Sequence, residues 1–169
     1  MATGVASISR IYRCFFLYIE PISALTGAYY SLCQQRTYLA LTHSSSAPEG
    51  VVPIGVQIVL AQLANMYFLF AINEAIILRA TPDLKVWRAV LLCLLIADFG
   101  HLYSVKSAGW HIYWHVLGWN AIDFGNVAFV YVGASMRVAF LLGFGIGQSG
   151  RQATERSTRR KRPSSRNAG

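Results

Sequence analysis

The chain of 169 residues is 54% hydrophobic and only 13% charged, and its formal net charge is +8 at neutral pH. A soluble domain usually carries about 25% charged residues, so the composition excludes an ordinary water-soluble globule. The length fits one compact unit rather than two domains. We therefore expect an integral membrane protein.

Four apolar stretches are long enough to cross a bilayer, whose core of about 30 Å needs about 20 helical residues. They cover residues 14–33, 54–78, 86–105 and 121–146. Arg10 and Arg13 before the first stretch could indicate a signal peptide. Against this, Glu20 and Pro21 interrupt the apolar run, and no small-residue cleavage site follows. The predicted fold is all-α, a four-helix transmembrane bundle over residues 14–147.

The connections between the stretches carry turn signals or interface residues. Residues 42–53 are rich in Ser, Pro and Gly, and Pro82 in the connection 80–85 is suited to open the next helix. The segment 104–119 is rich in aromatics that favour the headgroup region, namely Trp110, Tyr113, Trp114 and Trp119. We predict a short interfacial segment between the third and fourth helices.

The distribution of basic residues predicts the orientation. With four spans, the N-terminus, the second loop and the C-terminus share one side, which holds twelve Lys and Arg residues against two opposite. The positive-inside rule then places the N-terminus (1–13) and the tail (148–169) in the cytosol. The basic tail resembles a nucleic-acid patch, but next to four spans we expect a disordered anchor that contacts anionic lipid. The endoplasmic reticulum is the expected membrane.

Four of the seven acidic residues fall inside the predicted spans, one in each helix: Glu20, Glu74, Asp98 and Asp123. A charge at the centre of a span costs roughly 2.5–3.5 kcal/mol, so these groups should face the interior, pair or hold a proton. Depth along the helices divides the polar groups into two layers. The cytosolic layer, predicted to form structural ion pairs, consists of Glu20, Glu74 and Arg137. The opposite layer, predicted to be catalytic, consists of Asp98, His101, Asp123 and Asn126.

The second layer suggests proton-transfer chemistry. A carboxylic acid in apolar surroundings tends to stay protonated, and beside a histidine it forms a general acid paired with a base. We predict an isomerase or cyclase-like enzyme acting on a sterol, terpenoid or other lipophilic secondary metabolite. Asp98 and His101 would be acid and base, oriented by Asp123 and Asn126. The predicted ligand-binding residues are Asn73, Glu74, Tyr103, Trp114 and Trp119, although interface anchoring also explains the Trp residues.

A non-catalytic role is the alternative. The buried acids would then only fix helix register in a lipophilic-ligand binding, scaffold or transport-accessory protein. Either role is compatible with a homo-oligomer. His111 and His115 lie four residues apart without an intervening carboxylate, so no metal is predicted, and no phosphate loop indicates a cofactor. The expected partners are membrane lipids and an apolar small molecule, not nucleic acid.

Several motifs carry a family resemblance: IEP, NEA, ADFGH and WN-x-x-D-x-x-N, spread over roughly 10–145. They resemble a family of small fungal membrane proteins described only as a domain of unknown function. This resemblance implies a filamentous-fungal origin but no activity. More distantly, the chain is similar to the EXPERA superfamily of emopamil-binding sterol isomerases and sterol binders. Those four-span bundles hold acids in an apolar cavity, which implies proton transfer, but no individual residue is matched.

Overall fold

The structure is a computed structural model that describes residues 7–147. Apart from turns and loops, this part of the chain is helical, with one pair of two-residue strands, β1 (Ser7–Ile8) and β2 (Ile146–Gly147). The helices are α1 (10–33), α2 (Gln35–Thr42), α3 (54–80), α4 (Leu84–Ser104) and α5 (121–141). The predicted basic tail (148–169) and residues 1–6 of the predicted N-terminal segment lie outside the described residues.

Local sequence signals account for where α4 and α5 begin. The Asp83 carboxylate accepts a hydrogen bond from the Lys85 backbone N–H at 2.8 Å, which caps α4. Asn120 caps α5, because its side-chain oxygen accepts from the backbone of Asp123, whose carboxylate in turn accepts from the Asn120 N–H. This reciprocal pair is a capping box. It fixes the end of α5 that lies next to the site described below.

Three of the long helices contain a wide π-helical turn. The turns lie at Phe15–Ile19 in α1, Asn73–Ile77 in α3 and Phe124–Phe129 in α5. A π-turn adds a residue to one turn of an α-helix, redirects the following side chains, and occurs often at functional sites. Glu20 directly follows the first of these turns and Glu74 lies within the second. The π-turns of α1 and α3 therefore lie at the positions of two acids whose side chains face the interior.

Within residues 7–147, three helical segments, rather than the predicted four, are long and apolar enough to cross a membrane: Ile54–Ala80, Leu84–Ala108 and Ala121–Leu141. In the most apolar stretch of each segment, at most 22% of the residues are buried inside the protein, so most of the apolar side chains face outward. They indicate a membrane protein. Helix α1 is also long, but Glu20, Pro21 and several tyrosines make it less apolar.

The last helix ends at Leu141 instead of 146, since Gly143 and Gly145 adopt positive φ and turn the chain.

The described ends of the chain meet at one end of the bundle. β1 pairs antiparallel with β2, and the Tyr12 hydroxyl donates to the Phe144 carbonyl at 2.9 Å. Beneath them lies an aromatic core in which Trp87 stacks on Phe140 with ring centroids 5.8 Å apart. Phe16 in this core is fully buried. This end of the bundle is closed by tightly packed rings.

The opposite end is more open and contains the irregular segment between α4 and α5. Residues 105–118 form successive short 3₁₀ turns. The Tyr113 hydroxyl donates to the Leu102 carbonyl at 2.6 Å and ties this segment to α4. The side chains of Trp110, Trp114 and Leu117 are exposed. The segment thus presents an apolar, aromatic surface outward.

Candidate functional site

Arg137 of α5 holds one carboxylate from each of the other three long helices. Its Nη2 lies 2.5 Å from Glu20 Oε1 of α1 and 3.1 Å from Glu74 Oε1 of α3. Its Nη1 lies 2.7 Å from Asp98 Oδ2 of α4. The Arg137 side chain is only 3% exposed. We call these four residues the Arg137 cluster.

The Arg137 cluster contains more acid than base. Three ionised carboxylates around one guanidinium would leave two uncompensated negative charges, which are costly to bury in a low-dielectric interior. Two carboxyl oxygens, Glu20 Oε2 and Glu74 Oε2, are buried without a hydrogen-bond partner among the described residues. The cluster is electrically neutral only when two of its three carboxyl groups hold a proton.

A cavity of about 500 Å³, which we call the inner cavity, opens onto the Arg137 cluster. All four residues of the cluster line it, together with His101 and Asn126. Small and apolar side chains complete the wall, among them Ala24, Gly27, Phe129 and Val130. The volume lies in the usual range of about 300–1,000 Å³ for small-molecule sites, which combine apolar walls with a few convergent polar groups.

A second cavity of about 390 Å³, the outer cavity, lies toward the 3₁₀ turns of the α4–α5 segment. The two cavities share four lining residues, Tyr38, Tyr67, His101 and Asn126. The hydroxyl oxygens of Tyr38 and Tyr67 lie 3.3 Å apart. The His101 Nε2 atom is buried and has no partner within residues 7–147. These four residues therefore lie between the two cavities.

The structure brings together only some of the residues predicted to form the catalytic layer. Asp98, His101 and Asn126 line the inner cavity, whereas Asp123 lines the outer one and caps α5. Asp98 contacts Arg137, so it belongs to the same cluster as the predicted structural pair Glu20 and Glu74. The division into two separate layers is corrected accordingly. The guanidinium of Arg137 contacts carboxylates that the sequence analysis had assigned to different layers.

Most of the predicted ligand-binding residues lie away from both cavities. Tyr103 and Trp114 are 73% and 65% exposed, and the Trp119 indole N–H donates to the Ile112 carbonyl at 2.8 Å. Neither Trp119 nor Asn73 is among the residues lining the cavities, while Glu74 lines the inner one.

Sequence reasoning missed Tyr38 and Tyr67. No local pattern distinguishes them, since 29 residues separate them and α2 must fold back to bring them together.

A protein-family model described as Domain of unknown function (DUF7704) matches residues 5–146. The chain belongs to this family. The match confirms the resemblance to a domain of unknown function that the sequence motifs indicated, and it includes the whole Arg137 cluster and both cavities. No curated protein and no solved structure matches the chain. The fungal origin and the EXPERA likeness gain no support from these comparisons.

Gly133 of this DUF7704 member allows the close packing at Arg137. A Cβ atom at position 133 would lie 2.8 Å from Arg137 Nη1 and 3.2 Å from Glu20 Oε1. Arg137 is held by three carboxylates and cannot move aside freely. We expect Gly133→Ala to lower the free energy of unfolding by about 1–3 kcal/mol, the usual cost of overpacking. Thermal unfolding of the purified protein in detergent measures this.

Gly125 of the same helix provides the matched control. A Cβ at position 125 would meet no heavy atom of residues 7–147 within 4 Å. Alanine is also favoured over glycine in a helix by up to about 1 kcal/mol. Gly125→Ala should therefore leave the unfolding temperature unchanged or raise it slightly. Equal destabilisation by the two substitutions would contradict the assignment of tight packing to Gly133.

Proposed function

We propose that this protein crosses the membrane four times, binds a lipophilic small molecule in the inner cavity, and transfers protons to and from it as an isomerase or cyclase-like enzyme. The observation that carries the proposal is the Arg137 cluster on the wall of a cavity of about 500 Å³. A sterol, terpenoid or comparable unsaturated metabolite matches the mixture of apolar wall and buried acid.

Two observations favour α1 as the fourth membrane span. Its exposed hydrophobic side chains form one continuous stripe at helical spacing: Tyr18, Ile22, Leu25, Tyr29 and Leu32. Such a stripe is suited to contact lipid. In addition, the pairing of β1 with β2 brings the ends of the described chain to one end of the bundle. A chain whose two ends lie on the same side must cross the membrane an even number of times.

The distribution of charge favours a cytosolic location for both ends. The short loop 81–83 and the first turn of α4, which carries Lys85, lie at the same end as the β1–β2 pair, since Trp87 stacks on Phe140 there. Basic residues concentrate on this side by the positive-inside rule. The exposed aromatic surface of residues 105–118 then meets the opposite headgroup layer. The endoplasmic reticulum fits as the site of lipid metabolism.

The Arg137 cluster supplies the acid of the proposed reaction. Because neutrality requires two protons on three carboxyl groups, at least one of the inner-cavity acids is protonated near neutral pH. Glu20 is the preferred donor, since it lines the cavity, retains some exposure and has an Oε2 without a hydrogen-bond partner in the described part of the chain. Arg137 stabilises the carboxylate that remains after Glu20 gives up its proton. Such a pairing lowers the cost of the transfer.

His101 supplies the base. A proton from Glu20 adds to one carbon of a carbon–carbon double bond, and the neighbouring carbon becomes positively charged. His101 Nε2, which has no partner among the described residues, accepts a proton from a carbon next to the cation, so the double bond re-forms one position away. The ring faces of Tyr30 and Phe129 in the cavity wall stabilise the cation. The proton returns from His101 to Glu20 through water, and the product is an isomer of the substrate.

An untargeted mass-spectrometric comparison of lipid extracts tests the proposal. Cells that express the wild type should accumulate a lipophilic compound with the same molecular formula as one that they deplete. His101→Gln and Glu20→Gln should abolish this change at normal protein abundance. The matched controls His111→Gln and Glu49→Gln replace the same residue types at exposed positions outside both cavities and should retain it.

A second candidate is binding without catalysis. It is favoured by the contact of each of the three carboxylates with Arg137, which is sufficient to fix the four helices relative to one another. A lipophilic compound that copurifies unaltered with the wild type and with His101→Gln would support this candidate and overturn the proton-transfer proposal.

A further inference from the structure

We infer that the outer cavity is a water-filled entrance that connects the non-cytosolic side of the membrane with the Arg137 cluster, and that Tyr38 and Tyr67 form the partition at its inner end. The inference rests on the four-span arrangement of the proposed function. It goes beyond that function by giving the route and the side from which water and protons reach the buried acids.

The lining of the outer cavity is suited to water. Its wall contains many side chains that can hydrogen-bond: Thr42, His43, Ser46, Ser104, Ser107 and Asp123. A buried water needs room and two to four polar partners, and both are present here. The wall of the inner cavity is more apolar and includes Ala24, Phe129 and Val130.

The residues that line the outer cavity range from exposed to buried. Thr42, His43 and Ser107 are exposed and form the mouth, whereas Tyr38 at the inner end is buried. The mouth lies beside the 3₁₀ turns, at the end of the bundle opposite the β1–β2 pair. If the described ends are cytosolic, the mouth faces the other side of the membrane.

The partition between the cavities is one layer of side chains. Tyr38 and Tyr67 line both cavities, and their hydroxyl groups form a hydrogen bond of 3.3 Å across the passage. Gly27 of α1 lets the Tyr67 ring lie close, since a Cβ there would be 3.3 Å from the ring. His101 also lines both cavities, and its Nε2 has no hydrogen-bond partner among the described residues. It can therefore pass a proton across the partition.

The cytosolic end offers no comparable route within the described residues. Phe16, Trp87 and Phe140 pack there at 0–2% exposure and separate the Arg137 cluster from the described ends of the chain. Water would have to cross this aromatic core to reach the acids from the cytosol. The outer cavity is therefore the favoured path.

Cysteine accessibility in sealed microsomes, whose cytosolic face points outward, tests the inference. Cys14, Cys33 and Cys93 are first replaced by serine, and the probe is a membrane-impermeant methanethiosulfonate with a quaternary ammonium group. Single cysteines are introduced at Ser107 in the mouth and at Ala24 in the inner cavity. The matched controls are Lys85→Cys on the cytosolic side and Ile96→Cys, an exposed position on the apolar surface of α4.

We expect Lys85→Cys to react in sealed vesicles, and Ser107→Cys and Ala24→Cys to react only after the vesicles are permeabilised. Ile96→Cys should remain unmodified in both conditions, because the charged probe does not enter lipid. Ala24→Cys should react more slowly than Ser107→Cys, and adding Tyr67→Ala should raise its rate several-fold. Tyr67→Phe, which keeps the ring and removes only the hydroxyl, gives a smaller increase.

Three results would contradict these expectations, and each contradicts a different claim. Reaction of Ala24→Cys in sealed vesicles would overturn the inference, since water would then enter from the cytosol. Failure of Ala24→Cys to react after permeabilisation, with or without Tyr67→Ala, would show that no water path exists while leaving the four-span arrangement intact. Reaction of both Lys85→Cys and Ser107→Cys in sealed vesicles would instead overturn the four-span arrangement itself.

Discussion

Replacement of Arg137 by methionine is expected to lower the free energy of unfolding by about 3–5 kcal/mol, the usual cost of removing one partner from a buried ion pair. Methionine approximates the length of the arginine stem but leaves Glu20, Glu74 and Asp98 without their common cation. The unfolding midpoint in detergent and the cellular abundance of a tagged protein measure the loss. Both should fall sharply.

The asymmetry between acid and base in the cluster provides the controls. Because acid is in excess and two of the three carboxyl groups must be neutral in the neutral cluster, Glu74→Gln, which places a neutral amide there, should be tolerated far better than Arg137→Met. Combining Arg137→Met with amide substitutions at Glu20, Glu74 and Asp98 should recover much of the lost stability, since no unpaired charge remains. Arg137→Met at wild-type abundance and midpoint would show that the ion pairs do not hold the helices together.

The inward orientation of Glu20, Glu74 and Arg137 was accessible from the sequence, because charged groups in apolar helices cannot face lipid at low cost. The contact between Asp98 and Arg137 was not accessible from the sequence. Counting 1.5 Å per residue assumes regular, parallel helices, whereas α1, α3 and α5 each contain a π-turn. The guanidinium of Arg137 also bonds carboxylates on three different helices at once, which a residue count does not anticipate.

The motif WN-x-x-D-x-x-N has a local role that competes with the predicted catalytic one. Asn120 and Asp123 are spaced as a capping box, and the structure uses them to begin α5. Asn126, one turn further, is left to line both cavities. The contact between Tyr38 and Tyr67 depends on where α2 lies relative to α3. A single sequence carries no signal for such a long-range contact.

The aromatic core beneath the β1–β2 pair should be as sensitive to truncation as the Arg137 cluster. Trp87 is only 2% exposed, stacks on Phe140, and donates its indole N–H to the Thr81 carbonyl at 2.9 Å. We expect Trp87→Ala to lower the free energy of unfolding by about 3–5 kcal/mol, because the remaining cavity adds to the lost transfer energy. Chemical or thermal unfolding followed by fluorescence measures the change.

Trp114→Ala is the matched control, since this side chain is 65% exposed and a substitution there should change stability by less than about 0.5 kcal/mol. Trp87→Phe separates packing from hydrogen bonding. It keeps an aromatic ring against Phe140 and removes the bond to Thr81, so it should cost about 0.5–1.5 kcal/mol for the bond, plus a smaller packing loss. If Trp87→Ala and Trp114→Ala were equally mild, the ring cluster would not close this end of the bundle.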